Sequence, residues 1–431
     1  MRQFSQLVSG RFGLAFAGIG VLAGCGETWR APETLPEDVG STAGTTGETG
    51  NTGGTPGGTG GTSSVEGNPD LPVSGVGGSG NAPGAVDCSV APSVPVTVAW
   101  SAANRQDDAW YATAEAMSLA ENILYYRNDD RGWPKAIDMT TRTAPRRDES
   151  TIDNDATTTQ IDYLARVFTA TSCAKYGDAA IGSIQYLLDA QYENGGWPQI
   201  YPDPEGYPAH ITYNDNATLH VLSVLGSVAK REDHYAFVAE SLAANAAAAI
   251  ERGIDCILAT QIEADGQKTG WCAQHDEVTL APAQARTYEL PSLSGSEGAG
   301  LLRYLMTIEN PSPEIIEAVE GAAAWFEAVK LTGIRIQETV DATLPEGEDR
   351  VVVEDPTAPP LWARFYELGT NRPIFSSRCE VDQCDADPFY MRRYTLAEID
   401  NERRVGYAWY GNWPAQLLST VYPTWKARWA P

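Results

Sequence analysis

The chain has 431 residues and a formal net charge of −27. That charge excludes nucleic acid as a partner, because binding phosphate needs clustered positive charge. A polyanionic substrate would have to be met by local Arg and Lys groups or by a bound cation. The composition, 42% hydrophobic and 20% charged, is that of a globular chain, and its 12 Trp and 19 Tyr suit either a large core or a surface that stacks on sugar rings.

At the N-terminus Arg2 and Arg11 precede an apolar run that ends in Leu22, Ala23, Gly24 and Cys25. The run has the length of a signal-peptide core and is too short for a membrane span. Its end resembles a bacterial lipobox, which implies cleavage before Cys25 and lipidation of that thiol; an ordinary cleaved signal followed by a chance Cys is the alternative. Residues 1–24 are therefore expected to be a lipoprotein signal peptide. Residues 25–95 hold the lipidated Cys and a stretch dominated by Gly, Thr and Ser. Too few large apolar groups occur there to offset the entropy of ordering the chain, so a disordered tether is expected. The mature protein would be exported and held on a membrane by lipid, at the cell surface or in the periplasm. Cys88, Cys173, Cys256, Cys272, Cys379 and Cys384 follow. In an oxidising compartment six cysteines allow up to three disulfides, and Cys379 and Cys384 are close enough in sequence to staple a small loop.

From Val96 to the end the pattern is mainly helical. Tyr111–Arg127 is rich in good helix formers. Ile161, Leu164, Ala165 and Phe168 form an apolar stripe at helical spacing, and Leu219, Leu222 and Leu225 continue the theme. The Ala-rich run SLAANAAAAIERGIDCILATQ reads as a close-packing helix, and Ser312 with Pro313 announces another as cap and first residue. IRIQETV and RVVVED alternate like the two strands of a hairpin.

An internal repeat runs through these elements. Gly-Trp-Pro occurs at Trp133 and again at Trp197, 64 residues on, while an Asn/Asp cluster occurs at Asp153–Asp155 and again at Asn214–Asn216, 61 residues on. Trp271 repeats the Gly-Trp, and YAWYGNWP (Tyr407–Pro414) echoes it. Helix–loop–helix units stacked side by side predict a mainly all-α fold, an α/α toroid or incomplete helical barrel, with long loops gathered at one rim. The two clusters are then equivalent loops at that rim. Asp and Asn ahead of a helix are ordinary N-caps, and at least one residue of each triplet is expected to cap. Acidic oxygen donors from two loops also suit a hard cation such as calcium. The residues alone leave both readings open.

Arg286, Glu289, Ser292 and Glu297 surround a Pro-containing loop in the third repeat, and Arg364, Arg372 and Arg378 follow. Arginine recognises carboxylates with paired hydrogen bonds. Acidic groups and arginines at one rim therefore fit a carboxylate-bearing substrate bridged by a cation, unless each arginine merely pairs with a neighbouring acid.

NGGWPQIYP, YNDNAT, ARTYELPSLSGSE, RFYELGTNRPIFSSR and NERRVGYAWYGNWP occur in this order. They resemble the catalytic module of family 10 polysaccharide lyases, pectate lyases with an α/α-toroid fold. The resemblance covers about Trp100 to the C-terminus and marks residues 96–431 as a catalytic module. It implies calcium-dependent anti-β-elimination of polygalacturonate or pectin. It further implies that Asp153 and Asn154 meet the substrate carboxylate through calcium, and that Asp215 is a calcium ligand. Arg286 and Arg364 would grip sugar carboxylates, and Arg378 would be the Brønsted base, with Arg372 in reserve. Lys135 is a further candidate for substrate contact. The Cys379-containing segment CEVDQCDAD looks inserted relative to the family pattern, which bears on the shape of the substrate cleft.

Two other functions remain compatible with the residues. A glycoside hydrolase on a similar toroid would use a carboxyl pair and no calcium. A non-catalytic surface lipoprotein would bind pectin through its aromatics. His210 and His220 flank the second cluster, but oxygen-rich surroundings favour calcium over a metal that prefers imidazole. They read as structural or sugar contacts. A monomer is expected.

Overall fold

The computed structural model describes residues 88–89, 92–379, 387 and 389–430. The lipobox, most of the expected tether and Cys384 lie outside the described residues. Among the described residues no helix is long and apolar enough to cross a membrane.

Seven helices carry the fold: α1 (Ala114–Tyr126), α2 (Thr158–Thr171), α3 (Ala174–Asp189), α4 (Ala217–Lys230), α5 (Glu240–Thr260), α6 (Glu297–Leu305) and α7 (Pro313–Ala328). The short helix Asn401–Val405 and the C-terminal helix Tyr422–Trp429 follow. α1 begins later than the composition suggests, because Tyr111 is buried in a preceding 3₁₀ turn and Thr113 accepts the first capping bond from Ala116 N. Ser312 caps α7 as expected, its hydroxyl accepting from Ile315 N at 3.4 Å. α2 packs on α4 and α4 on α6; α3 packs on α5 and α5 on α7. These two rows, facing each other through the pairs α2–α3, α4–α5 and α6–α7, make an incomplete α/α toroid.

The repeated tryptophans explain why the units align. Each lies at the start of the segment that follows α1 or a helix of the second row and is almost wholly buried. A buried indole N–H needs an acceptor, and the last four carbonyls of a helix lack partners within it. The indole nitrogens of Trp133, Trp197, Trp271 and Trp362 donate to Ile123, Leu187, Ile257 and Phe326 O at 2.8, 2.8, 2.7 and 2.8 Å, each in the last turn of α1, α3, α5 and α7. The fourth member is thus Trp362 and not YAWYGNWP. The hairpin Ile334–Val340/Glu348–Glu354, inserted between α7 and Trp362, hides the period in the sequence.

A line of short antiparallel contacts runs from unit to unit. Thr151 N donates to Trp133 O at 3.0 Å and Ile152 N to Gln199 O at 3.1 Å. One unit on, Thr212 N donates to Trp197 O at 3.0 Å and Tyr213 N to Ala273 O at 2.9 Å. In the third unit Ser294 N meets Trp271 O at 2.7 Å and Gly295 N meets Arg364 O at 2.8 Å. Every polar cluster therefore follows a segment stitched to its own tryptophan segment and to the next, which places the clusters along one rim.

Cys88, within the expected tether, is disulfide-bonded to Cys173 at the start of α3. Cys379 is also disulfide-bonded. Cys256 and Cys272 are free and buried, so the three disulfides that six cysteines allow are not formed. Both are enclosed, the Cys256 sulfur 3.9 Å from Tyr213 Oη and the Cys272 sulfur accepting from Ser292 N at 3.5 Å, which leaves them as small structural side chains.

Candidate active site

The two Asn/Asp clusters adopt one backbone shape. Asp153–Asp155 and Asn214–Asn216 are single 3₁₀ turns. Asn154 and Asp155 take φ of 49° and 60°, and their counterparts Asp215 and Asn216 take 49° and 60°. Asn and Asp tolerate this left-handed region better than other side chains, which is one reason the triplet is written twice. Thr157 and Thr218 fasten the turns, their hydroxyls donating to Thr151 O at 2.8 Å and Thr212 O at 2.5 Å. The expected N-caps do not form: neither α2 nor α4 receives a side-chain capping bond. The left-handed turn points the triplets away from the first N–H groups of the helices.

The first positions, Asp153 and Asn214, are buried at 1% and 5% exposure. Asp153 Oδ2 accepts from Lys135 Nζ and from Gln199 Nε2, the latter at 2.6 Å. The second position of the second turn, Asp215, keeps 31% of its side chain open. It accepts from Asn214 Nδ2 at 2.8 Å and from Arg364 Nη2 at 3.4 Å. Burial pushes its carboxyl pKa up; Arg364 pulls it down, Glu297 and Asp153 push it up, and Arg286 pulls it down, with a net rise. Asp215 thus lies within electrostatic reach of two arginines and two acids.

The third unit supplies the surprise. SGSEGAG (Ser294–Gly300) falls in register with TYNDNAT (Thr212–Thr218), so that Glu297 occupies the place of Asp215. Glu297 turns inward, hydrogen-bonded to Ser294 Oγ, and accepts from Arg364 Nη2 at 2.5 Å. Arg364 is itself buried, its guanidinium 4.8 Å from the Tyr407 ring centroid. Burial opposes its charge, but Glu297, Tyr407, Asp215 and Glu289 hold it firmly protonated.

Arg286 stands beside this group. Its Nη1 lies 3.1 Å from Glu289 Oε1 and 3.4 Å from Tyr288 Oη, and 31% of its side chain is open to solvent. Tyr407 Oη donates to the same Glu289 oxygen at 2.9 Å. Arg378 is farther out and 60% exposed, 3.3 Å from Glu402. Its guanidinium lies 5.1 Å from the Tyr288 centroid, and Arg403 lies 4.5 Å from the same ring. Tyr288 in turn meets Tyr407 edge-to-face at 5.4 Å. Arg372 belongs to another group: it lies 3.7 Å from the Tyr394 centroid and beside Glu367. None of its contacts among the described residues reaches the twin turns.

Two comparisons address what such a rim belongs to. A family model described as pectic acid lyase matches residues 125–418. The chain belongs to the pectic acid lyase family. A solved structure of a family 10 polysaccharide lyase from Cellvibrio cellulosa is similar at 33% identity and a TM-score of 0.63, with 75% of this chain and 94% of that chain covered. An aspartate-to-alanine mutant of a family 10 polysaccharide lyase from the same organism, in complex with trigalacturonic acid, is similar at 33% identity and a TM-score of 0.62, covering 73% and 95%. No curated protein sequence matches. The protein is a polysaccharide lyase on a pectate-lyase-like fold.

In this pectic acid lyase the side chains of the twin turns all offer oxygen: the carboxylates of Asp153, Asp155 and Asp215 with the amides of Asn154, Asn214 and Asn216. A carboxyl group whose ionisation is disfavoured by burial and by two neighbouring acids is one that a divalent cation would relieve. The residues therefore fit calcium. Ligand atoms of His210, Asp276 and Glu277 lie within 4.8 Å of one another, and His210 Nδ1 is 3.0 Å from Glu277. His220 pairs with Asp155 of the first turn at 2.5 Å. Of the expected site residues, Lys135, Asp153, Asp215, Arg286 and Arg364 are brought together, and Arg378 borders them. Gln199, Tyr288, Tyr407 and Arg403 received no role from the sequence. The sequence singles out Glu297 but not its register with Asp215, though its Gly-Ala-Gly end aligns with the Asn-Ala-Thr of the second turn.

Proposed function

We propose that this protein is a calcium-dependent pectate lyase that cleaves α-1,4-polygalacturonate by anti-β-elimination and leaves 4,5-unsaturated ends. The observation that carries this is the placement of Asp153 and Asp215 on twin turns with Arg364 and Arg286 beside them. Calcium, held by Asp153 and Asp215 with Asn154 at the substrate side, would neutralise the carboxylate of the sugar being cleaved.

Elimination removes the proton from C5, forms the C4–C5 double bond and expels the C4 glycosidic oxygen, which takes up a proton. Charge builds on the carboxylate attached to C5, and fixed positive groups aimed there lower the barrier. Arg364 serves this purpose. It is not assigned the base, because it is buried at 5% exposure between Glu297 and Asp215. Lys135, one-third exposed and bonded to Asp153, would contact the substrate beside the first turn.

The base must reach a sugar whose carboxylate lies at Asp215. Arg378, which the motif resemblance selects, is separated from Arg364 by two tyrosine rings. Arg286 keeps 31% of its side chain open, so we assign it the base position and give Arg378 a carboxylate of an adjoining sugar. Burial opposes the charge on Arg286, but Glu289 beside it favours the charged guanidinium and raises its pKa, so the neutral form must be reached at high pH. A guanidine base needs conditions well above neutral pH to populate its neutral form.

We also propose that residues 1–24 are removed, that lipid on Cys25 anchors the protein to a membrane through the tether 25–95, and that residues 96–431 act as a monomer. The lipobox supports the anchor, and the Cys88–Cys173 disulfide supports an oxidising compartment. Loss of membrane association on Cys25→Ser would test it.

The activity test is ultraviolet absorbance of the full chain with polygalacturonate, in calcium or in excess chelator. Absorbance that rises only with calcium is the expected result. New reducing ends without absorbance would show hydrolysis by a carboxyl pair. Binding without either product would leave a pectin-binding lipoprotein.

A further inference from the structure

The hairpin Ile334–Val340/Glu348–Glu354 contributes no residue to the site, yet its second strand holds the segment Asn401–Tyr407 at several points. Asp349 takes two bonds from Arg404, Nε to Oδ1 at 2.6 Å and Nη2 to Oδ2 at 3.0 Å. Asn401 donates Nδ2 to Glu348 O at 2.8 Å and accepts from Glu346 N at 3.1 Å. Arg350 Nη1 reaches Tyr407 O at 3.4 Å.

The same segment carries side chains that face the site. Arg403 is buried against Tyr288 and bonded to Glu402 through both Nε and Nη2. Glu402 in turn is the partner of Arg378. An exposed guanidinium resting on one ring face keeps many rotamers open to it. For Arg378, which lies over Tyr288, the aim is set chiefly by where its carboxylate partner is held, and Glu402 is held by Arg403 and by the short helix Asn401–Val405. A paired, two-bond Arg–carboxylate contact fixes orientation as well as distance, and Asp349–Arg404 is such a contact on the opposite side of that helix.

We infer that Asp349 is a positioning residue for substrate binding: through Arg404 it holds the Asn401–Val405 helix so that Glu402 and Arg403 keep Arg378 turned towards a substrate carboxylate. This rests on the assignment of Arg378 to a neighbouring sugar made above. It assigns a use to the inserted hairpin, as a brace behind the outer arginines.

The test is Asp349→Asn in the full chain, which keeps the shape and removes the charge. The expected result is a KM for polygalacturonate raised about fivefold, the upper size of one loosened charge pair, with kcat and its pH profile unchanged. The reciprocal pair Asp349→Arg with Arg404→Asp should restore KM. An unchanged KM, or a fall in kcat that tracks a fall in Tm and is not rescued, would overturn the proposal by making the contact purely structural. A readout independent of substrate separates this from failure of the lyase assignment. In protein labelled with ¹⁵N-arginine, the Nε–H signals of Arg378 and Arg403 should shift and broaden in Asp349→Asn. They should stay in place in the control Val340→Ser, at an exposed position of the same hairpin. Unmoved signals would refute the brace even in an active enzyme, and moved signals in a protein without lyase activity would refute only the substrate role.

Discussion

Arg364 donates to Glu297 at 2.5 Å with both side chains at 5% exposure or less. Two charges removed from water are tolerated because they are paired, and removing one partner of such a pair typically costs about 3–5 kcal/mol. Glu297→Ala should therefore lower Tm sharply. Glu297→Gln, which keeps a hydrogen-bond acceptor, should lower Tm less but still reduce kcat, since Arg364 would lean towards Asp215 and away from substrate. Calorimetry with kinetics checks both; a Glu297→Gln variant of full activity would deny the clamp.

Asp215 should make stability depend on calcium with a defined sign. Its folded pKa is raised above the unfolded value, so its contribution is favourable while protonated and is lost as pH rises through the folded pKa. At neutral pH in chelator the ionised carboxylate therefore strains the fold. Asp215→Asn should raise the Tm of chelated protein at pH 7 by about 1–2 °C and abolish most of the further rise that calcium produces in wild type. A Tm that falls in chelator would show that Asp215 is stabilised by Arg364 more than it is destabilised by burial.

Arg286 and Arg378 should separate in kinetics. Loss of a proton-transfer group costs about 10²–10⁴ in rate, so Arg286→Ala should lose kcat on that scale with little change in KM. Arg378→Ala should chiefly raise KM. If the two patterns are exchanged, Arg378 is the base. In wild type, kcat should climb above neutral pH with calcium saturating.

Asn154 allows backbone and side chain to be tested apart. At φ of 49° an alanine costs roughly 1–2 kcal/mol relative to glycine, so Asn154→Ala should lower Tm and Asn154→Gly should not. If the amide meets substrate, both variants should lose activity equally. Activity retained in Asn154→Gly would make Asn154 a turn residue only.

Much of the fold is legible in the chain because its determinants are local. An indole needs an acceptor within reach of the preceding helix, so Gly-Trp recurs; a left-handed turn needs Asn or Asp, so the triplet recurs; apolar stripes and the Ser312–Pro313 start mark helices within a few residues of themselves. The same locality explains the failures. Trp362 lost its period to an inserted hairpin, and the triplets resembled N-caps because a cap and a left-handed turn favour the same residues. Cys256 and Cys272 looked available for pairing, and nothing near them in sequence says that they are enclosed separately in the core.

By itself, then, the sequence determined the helical units, their repeat, the twin rim turns and the lyase family. Only the tertiary structure decided which charges meet. Arg364 reaches Glu297 across 67 residues and Asp215 across 149, and Arg378 is set apart from them by Tyr288 and Tyr407. Charge partnership depends on distance and burial in space, and neither is written in the spacing of residues along the chain.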